Sequence, residues 1–297
     1  MNEPEVDVFI CTYKRSSLID AVESVRRQEF PNARFCIHVI DNDEAKSAEF
    51  LTQKFPDIHY HHAPRQNISI ARNKALEIAR RDYLAFMDDD QIASPNWLAN
   101  LIQTQQEQNA DIVLGPVLAA YPGNTSEWIR SGDFFTTRPT YKGGAKIETG
   151  YTGNVLIRHS CIGKTRFKEE LGQSGGEDTI FFYELHQKGA QLSFSPNALM
   201  TEFIQQNRLR LSWLARRTIR NGQTYARILR QKDNTFIFVM AGTFAKLAYS
   251  LVCSLFLFPS PVAWRKNLLR GMFHFGVLTN FFGKNDLQNY RGINDGK

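Results

Sequence analysis

The sequence has only four cysteines among 297 residues, and no two of them stand at the C-x-x-C spacing of a zinc or redox site. They lie far apart, at Cys11, Cys36, Cys161 and Cys253. A disulfide framework or a structural zinc site needs cysteines at short intervals, so neither is expected to organise this chain. We therefore expect free thiols, a reducing cytoplasm and a fold stabilised by its hydrophobic core.

The first residues, MNEPEVDVFICTY, carry acids and no lysine or arginine. A secretory signal begins with basic residues, so we expect the first apolar run to belong to the folded domain. The sequence also lacks internal repeats and low-complexity tracts, which argues against a repeat protein or a disordered chain.

What the sequence does contain is typical of a globular protein: 42% hydrophobic and 22% charged residues. Its length allows one large domain of roughly 200 to 250 residues with an appendage, or two small domains. The formal net charge of +6 makes an anionic partner plausible, and the location of the excess matters more than its size.

Short apolar runs alternate with helical patterns over the first 90 residues. The runs predict four strands, VDVFICTY (6–13), FCIHVIDND (35–43), IHYHH (58–62) and DYLAFM (82–87). Helices are predicted from Leu18, over 44–54 and from Ser69. This alternation favours an α/β fold with a mainly parallel sheet flanked by helices. Ligands bind such sheets beyond the carboxyl ends of the strands.

Three consecutive carboxylates follow the fourth predicted strand in FMDDDQIASP. The repulsion among the charges of Asp88, Asp89 and Asp90 is offset if these carboxylates hold Mg²⁺ or Mn²⁺ together with a ligand's diphosphate. Alternatively, they form an acidic turn before a helix capped by Ser94 and Pro95. The motif by itself leaves both interpretations open.

A second acidic pair, Glu177 and Asp178, opens a predicted helix in GQSGGEDTIFFYELHQKGA. Acids in the first turn complement the helix dipole, which is a sufficient structural explanation. The preceding glycine pair has no such explanation, and it suits a loop that approaches a ligand closely.

Five elements in order, VFICTYKR, VIDND, NISIARNKAL, MDDDQIASP and GGEDTIFFYEL, resemble the inverting family 2 glycosyltransferases with the GT-A fold. The resemblance covers about residues 5 to 220. Bacterial enzymes that build exopolysaccharide or lipopolysaccharide repeat units, such as the succinoglycan glucosyltransferase type, look most similar. One departure is Gln91, where many members carry another acid.

The resemblance implies the reaction and its residues. A divalent metal would lie on Asp88 and Asp90, and Asp178 would be the general base that activates the acceptor hydroxyl. A nucleoside-diphosphate sugar, by family habit a UDP-sugar, would be the donor, and a glycan or lipid-linked saccharide the acceptor, with inversion. Residues implied to bind the nucleotide-sugar are Thr12, Tyr13, Arg15, Asp41, Arg72, Asp88, Asp89, Asn154, Glu177 and Arg216.

The resemblance, together with a change in composition near residue 203, divides the chain. Residues 1–220 would form the GT-A domain, with a Rossmann-like nucleotide-sugar-binding half (1–120) and an acceptor and catalytic-base half (121–220). Residues 221–297 would form a basic and apolar helical region that associates with a membrane.

Aromatic and histidine residues outside these motifs have two possible roles. Side chains between the acidic clusters either stack on acceptor sugars or pack a subdomain, and packing is favoured for each of Trp128, Phe134, Phe135 and Tyr141. His59 and His61 share a strand face without an evident third ligand, so surface histidines are favoured over a metal site.

The segment from Phe203 to Lys232 contains eight lysines or arginines and no acid. This charge suits an anionic membrane face or the diphosphate of a lipid-linked acceptor. It is accompanied by no DNA- or RNA-binding motif, so nucleic acid is not an expected partner.

The apolar run 235–258 is long enough to cross a bilayer, but its central Lys246 makes insertion only marginally favourable. We predict an interfacial or re-entrant hairpin turning at Pro259–Pro261, with residues 203–283 on the cytoplasmic face of the inner (plasma) membrane. The protein would be peripheral or monotopic. A transmembrane span is the second choice, and a hairpin buried on the catalytic domain is the third.

Two other functions fit parts of the sequence. A sugar nucleotidyltransferase would share the fold but needs a glycine-rich first loop, and CTYKRSS has no glycine. A membrane-tethered module that binds nucleotide-sugar without turnover would not need Asp178, which therefore argues against it.

Overall fold

The computed structural model describes residues 3–29, 34–139, 146–232 and 236–283. The chain divides into two compact units. The first comprises Met1–Ala120, Thr136–Gly172 and Glu177–Phe203, and the second comprises Tyr121–Phe135, Gln173–Gly176 and Ile204–Lys297. All strands of the described residues lie in the first unit.

The strands, in chain order, are β1 (Glu5–Thr12), β2 (Arg34–Asp41), β3 (His59–His62), β4 (Tyr83–Asp88), β5 (Gln91–Ala93), β6 (Ile112–Leu114), β7 (Val117–Ala120), β8 (Asn154–Arg158), β9 (Leu192–Phe194) and β10 (Met200–Phe203). The helices are α1 (Leu18–Arg26), α2 (Leu51–Lys54), α3 (Ile68–Ile78), α4 (Trp97–Gln108), α5 (Glu127–Gly132), α6 (His159–Ile162), α7 (Glu177–Gln187), α8 (Leu211–Gln231), α9 (Phe236–Phe256) and α10 (Ala263–Phe281). Short 3-10 turns lie at Glu169–Leu171 and Gln206–Arg208.

The larger sheet has seven strands in the order β3-β2-β1-β4-β8-β6-β9. Strands β1 to β4 pair in parallel, and β8 runs antiparallel to both of its neighbours. A second sheet has the order β5-β10-β7. The predicted mainly parallel sheet flanked by helices is therefore confirmed, with each of the four predicted strands within two residues of its predicted bounds.

Alternating side chains of β1 enter two separate apolar cores, one on each face of the sheet. Val6, Val8 and Ile10 belong to the core that contains Trp97, whereas Phe9 packs into the opposite core. Both faces are covered, so the strand is apolar on both sides, as is usual for parallel sheets between helical layers.

The helix predicted over 44–54 is wrong for most of its length, because only Leu51–Lys54 is helical. The Asp41 carboxylate accepts hydrogen bonds from the Asp43 and Ala48 backbone N–H groups, at 2.9 and 2.8 Å. These bonds hold the segment after β2 in turns and compete with helix formation.

The helix predicted to be capped by Ser94 and Pro95 instead begins at Trp97. The short strand β5 intervenes and pairs antiparallel with β10, so the three aspartates lead into a strand. The interpretation of the acidic motif as a helix-capping turn is therefore wrong. Long-range pairing with residues 200–202 determines this local structure.

The second unit contains α5 and the helices α8, α9 and α10. Helix α10 packs against both α8 and α9. Two glycines permit the close contact with α8: a Cβ on Gly222 would lie 2.1 Å from the Phe273 carbonyl oxygen, and one on Gly276 would lie 2.0 Å from the Ile219 carbonyl oxygen. The boundary predicted at residue 220 falls inside α8, and the predicted division of roles along the chain stays a prediction.

Helix α9 buries its serine and threonine side chains and exposes most of its large apolar ones. Thr243, Ser250 and Ser254 are buried, whereas the Phe238 and Phe256 side chains are 77% and 82% exposed. Among the described helices, α9 alone is long and apolar enough over Ile237–Phe256 to cross a membrane. Helices α9 and α10 pack together on either side of a turn at 257–262, so the helical hairpin itself is observed, and its predicted placement at a membrane interface stays a prediction.

Three of the four singled-out aromatics make ring contacts within the second unit. Phe135 stacks on Trp213 with ring centroids 5.4 Å apart, and Trp128 contacts Phe134 at 5.5 Å. These contacts favour the packing role. Tyr141 lies outside the described residues.

The two strand histidines stack on a third. The rings of His59 and His61 lie 4.9 and 5.4 Å from the ring of His38, whose Nε2 is 3.1 Å from Asp7 Oδ1. Burial lowers the pKa of His61 to about 4. At neutral pH His61 is therefore neutral.

Candidate active site

Three parallel strands bring distant residues to one edge of the sheet. Thr12 pairs with Asp41 across β1 and β2, and Cys11 pairs with Asp88 across β1 and β4. The carboxyl ends of these strands therefore lie side by side. This is the edge at which open parallel sheets bind ligands.

The acidic motif is linked to the segment after β1. The Thr12 hydroxyl donates to Asp89 Oδ2 at 2.7 Å. The Arg15 guanidinium lies between two carboxylates, 3.8 Å from Asp89 and 3.9 Å from Asp90. Thr12 and Arg15, both predicted to bind the donor, are therefore in direct contact with the acidic motif.

Asp88 and Asp89 of the motif resist ionisation. Desolvation, followed by the charge of Asp90, raises the pKa of Asp89 to about 7. Partial desolvation raises the pKa of Asp88 to about 6, with contributions from Asp90 and Asp178, although Arg72 opposes the shift. Ionising these desolvated and mutually repelling carboxylates costs free energy, so a cation that neutralises them would stabilise the cluster.

The surroundings of Asp88 fit a metal that also binds a ligand. Its side chain is 45% exposed, so a cation can reach it. In the described part of the chain, no three acidic, histidine or cysteine side chains form a set that could hold a metal alone. Mg²⁺ and Mn²⁺ bind one or two protein carboxylates and complete their shell with phosphate and water oxygens, so an incomplete protein shell is compatible with them.

Gln91, the departure from the family pattern, supports Asp88 directly. Its Oε1 accepts from the Asp88 backbone N–H at 3.2 Å, and its Nε2 lies 3.5 Å from Asp88 Oδ2. A Cβ on Gly153 would lie 3.0 Å from the same carboxylate oxygen, so glycine leaves room for it. An acid at position 91 would add charge, whereas the amide orients the carboxylate.

Arg72 and Glu177, both predicted to bind donor, form a buried ion pair. Arg72 also lies 3.5 Å from Asp88 Oδ1. Burial disfavours the charged guanidinium, but Glu177, Asp88 and Asp178 together raise the pKa of Arg72. Both acidic elements of the sequence therefore meet at one arginine.

Asp178, the predicted base, lies in the first turn of α7 and is half-buried. Its Oδ1 accepts from the Thr179 backbone N–H at 2.6 Å and from the Thr179 hydroxyl at 3.3 Å. Both bonds use one oxygen, so the other is the natural acceptor for a substrate proton. Its charge contributes to the raised pKa of Asp88, which places it near the acidic motif.

Asp41, predicted to bind base or ribose, is fully buried and already has three hydrogen-bond donors. These are the backbone N–H groups of Asp43 and Ala48 and the Tyr60 hydroxyl, at 2.9, 2.8 and 3.1 Å. The neighbouring Asp43 is the residue that sequence reasoning missed. Its buried Oδ2 accepts no hydrogen bond from the described residues, and its Oδ1 lies 3.5 Å from Lys14 Nζ.

Asn154 uses its whole amide within the protein. Its Oδ1 accepts from Trp97 Nε1 at 2.8 Å, and its Nδ2 donates to the Pro116 and Ala198 carbonyls at 2.9 and 2.7 Å. A donor contact through this side chain stays a prediction, and it would compete with these bonds.

Two further predicted residues lie outside this cluster of side-chain contacts. Tyr13 follows Thr12 and carries Lys14 Nζ 5.3 Å from its ring centroid. Arg216 lies in α8 of the second unit. The predicted donor contacts of both residues stay predictions.

Comparison with known proteins agrees with this geometry. Residues 7–166 match the family model described as Glycosyl transferase family 2. The chain is 40% identical over 298 residues to the succinoglycan biosynthesis protein ExoM of Rhizobium meliloti, covering 96% of this chain and 95% of that protein. It is 24% identical over 246 residues to a glucosyl-dolichyl phosphate glucuronosyltransferase of Haloferax volcanii, covering 73% and 75%.

Solved structures share the fold at low sequence identity. The mannosyltransferase PcManGT from Pyrobaculum calidifontis, in complex with GDP-Man and Mn²⁺, superposes with a TM-score of 0.63 at 15% identity, covering 95% of this chain and 88% of that one. S. aureus TarS 1–349, in complex with UDP, gives 0.54 at 13% identity, covering 94% and 92%. From the family match and the ExoM relative together, this chain belongs to glycosyl transferase family 2 and is a glycosyltransferase with a GT-A-like fold.

Proposed function

We propose that the protein transfers a sugar from a nucleoside-diphosphate sugar, a UDP-sugar in the first instance, to a glycan or lipid-linked saccharide in exopolysaccharide or cell-envelope synthesis. One observation carries the proposal: Arg72 contacts Asp88 of the acidic motif and also Glu177, which lies beside the half-buried Asp178 in the first turn of α7. The ExoM relative, named for succinoglycan biosynthesis, supports the pathway, and the UDP complex of TarS supports the donor.

Asp88 and Asp90 would hold the divalent cation. When bound, Mn²⁺ or Mg²⁺ acts as a Lewis acid that neutralises the departing diphosphate. Arg15 lies 3.8 Å from Asp89 and 3.9 Å from Asp90, and it would add a positive charge beside the departing diphosphate. The Mn²⁺ complex of PcManGT supports this assignment.

Asp178 would accept the proton of the acceptor hydroxyl as that oxygen attacks the anomeric carbon. A single displacement breaks the bond to the diphosphate from the opposite face and inverts the anomeric centre, so an α-linked donor gives a β-linked product. The acceptor's proton ends on the carboxylate, and the electron pair of the broken bond leaves with the diphosphate.

The donor nucleoside would lie against Thr12 and Tyr13 at the end of β1. Asp43 is a better contact for the base or ribose than Asp41, because its buried Oδ2 has no hydrogen-bond donor among the described residues. Asp89 and Arg216 complete the proposed donor set, and Asn154 is left out of it because its amide is used within the protein.

The second unit would bring the enzyme to the cytoplasmic face of the plasma membrane as a peripheral or monotopic protein. Its basic α8 suits anionic headgroups, and the exposed phenylalanines of α9 suit the acyl region. Protease protection in membrane vesicles tests the arrangement, because a C-terminus on the far side would indicate a transmembrane span instead.

The deciding experiment is a panel of nucleotide-sugars incubated with purified protein in detergent, with and without Mn²⁺, while release of nucleoside diphosphate is followed. Metal-dependent release from one donor identifies the sugar and supports transfer. Metal-dependent UDP binding without release of nucleoside diphosphate from any donor would indicate a binding module without turnover, provided that lipid-linked acceptors from membranes had been added.

A further inference from the structure

Arg72 lies on a helix that is clamped to the segment before the glycine loop. Asn73 and Phe167 exchange two hydrogen bonds of 2.8 Å, and the Ser69 hydroxyl donates to the Lys168 carbonyl at 2.8 Å. The Asn67 side chain caps α3 and also donates to the Glu169 carbonyl at 2.8 Å. Helix α3 therefore provides a rigid base for its side chains.

The guanidinium of Arg72 has little freedom. Its side chain is only 8% exposed, and its carbon lies 5.8 Å from the centroid of the Phe167 ring. One terminal nitrogen contacts Glu177, and the other lies 3.5 Å from Asp88. Both ends of the planar fork are thus directed at carboxylates of different elements, β4 and α7.

Without this cation, three carboxylates would repel one another. Asp88, Glu177 and Asp178 all act on Arg72, and Asp178 also acts on Asp88. Both terminal nitrogens of Arg72 already face carboxylates, so a diphosphate would have to compete with Glu177 and Asp88 for this side chain.

We propose that Arg72 is a positioning residue that holds the metal-binding carboxylate Asp88 at a constant distance from the first turn of α7, which carries the base Asp178. The proposal rests on the proposed function and deepens it. Arg72 contacts α7 through Glu177. In this proposal the two residues bind each other, and neither contacts the donor as the family resemblance implied.

The first test is kinetic. Arg72→Met should lower kcat about 100-fold, because small misplacements of catalytic groups cost this much, while the Kd of UDP at saturating Mn²⁺ changes less than about threefold. Arg72→Lys keeps the charge but loses the fork, and it should restore only part of kcat. A tenfold weaker UDP affinity with unchanged kcat would assign Arg72 to donor binding and overturn the proposal.

A double-mutant cycle separates positioning from donor contact. If Arg72 acts through Glu177, the double variant Arg72→Met/Glu177→Gln should be no slower than the slower single variant. Multiplicative losses would contradict the proposal. Arg81→Met is the matched control: Arg81 also bridges two acids, Glu5 and Asp7, at 2.6 and 3.2 Å, and its removal should change melting temperature without changing kcat.

A crystal structure tests the role of Arg72 without any measurement of turnover. In a crystal structure with UDP and Mn²⁺, Arg72 should remain on Glu177 and Asp88. A hydrogen bond from Arg72 to the diphosphate would overturn the positioning role even if the enzyme proved active. If wild-type protein bound UDP but released nucleoside diphosphate from no nucleotide-sugar, the proposed function would fail. The crystal structure with UDP and Mn²⁺ would still decide the role of Arg72.

Discussion

Thr12 and Asp89 are joined by a hydrogen bond of 2.7 Å, although 77 residues separate them in the chain. The hydroxyl ends β1, and the carboxylate belongs to the acidic motif after β4. Because β1 and β4 are neighbouring parallel strands, their ends bring together the segment proposed to bind the nucleotide and the segment proposed to bind the metal. The predictions that follow test parts of this arrangement.

Removal of the base should stop the reaction without affecting the donor pocket. We expect Asp178→Asn to lower kcat by about 10²- to 10⁴-fold, the usual contribution of a general base, and to leave UDP affinity unchanged. Steady-state kinetics and calorimetry measure the two effects. Asp57→Asn, at an exposed ion pair with Arg26, is the control and should leave both unchanged. Full activity in Asp178→Asn would refute the assignment.

Asp41 and Asp43 should respond differently to the same substitution. Asp41→Asn should lower the free energy of unfolding by about 1.5 to 3 kcal/mol, because a buried carboxylate loses charge-assisted bonds from two backbone N–H groups. Asp43→Asn should weaken UDP binding about tenfold or more while the protein stays folded. Denaturant titration and calorimetry distinguish the two, and equal UDP affinities for Asp43→Asn and wild type would exclude the nucleoside contact.

The acidic motif should make stability depend on pH and metal together. Asp88 and Asp89 have pKa values raised to about 6 and about 7, above the usual 3.8. Without metal, these groups contribute stability that is fully present below about pH 4 and is lost as the pH rises through 6 and 7. A divalent cation binds the ionised carboxylates, so Mn²⁺ should raise the melting temperature more at pH 8 than at pH 5.

Thermal unfolding with and without Mn²⁺ at the two pH values measures this effect. The double variant Asp88→Asn/Asp90→Asn is the matched control, since it should lose the response to Mn²⁺ and keep its fold. A metal response that is equal at both pH values, or that survives in this variant, would place the metal elsewhere.

The glycine pair before α7 should not accept a side chain. Gly176 has φ +87°, and a Cβ there would lie 2.2 Å from the Thr224 hydroxyl oxygen. Gly176→Ala should therefore cost at least about 1 to 2 kcal/mol and lower kcat. Gly123→Ala is the control, because a Cβ at Gly123 meets no atom within 4 Å. A fully active, equally stable Gly176→Ala would contradict this prediction.

The exposed face of α9 should bind lipid. Phe256→Glu removes an 82% exposed phenylalanine and should weaken binding to vesicles of anionic lipid about tenfold or more without loss of stability. Phe50→Glu, at a 48% exposed phenylalanine of the first unit, should have no effect. Vesicle sedimentation measures both variants, and equal binding by Phe256→Glu and wild type would exclude this face.

Local pattern was sufficient for the first four strands and for the edge that carries the candidate site. Apolar runs of strand length, separated by helical periodicity, determine a parallel sheet, and the strands end where the runs meet polar residues. Asp88 and Asp178 could therefore be assigned to the ligand edge and to a helix start before any coordinates were known.

Only the tertiary structure decided which of the polar residues at that edge are available to a ligand. Asp41, Asn154 and Arg72 look as suitable in the sequence as Asp43, but their hydrogen-bonding groups are used within the protein by residues up to 105 positions away. Likewise, pairing with β10 places the strand β5 between the acidic motif and the helix, which begins only at Trp97. Such contacts form between segments that the chain brings together only on folding, so no local pattern specifies them.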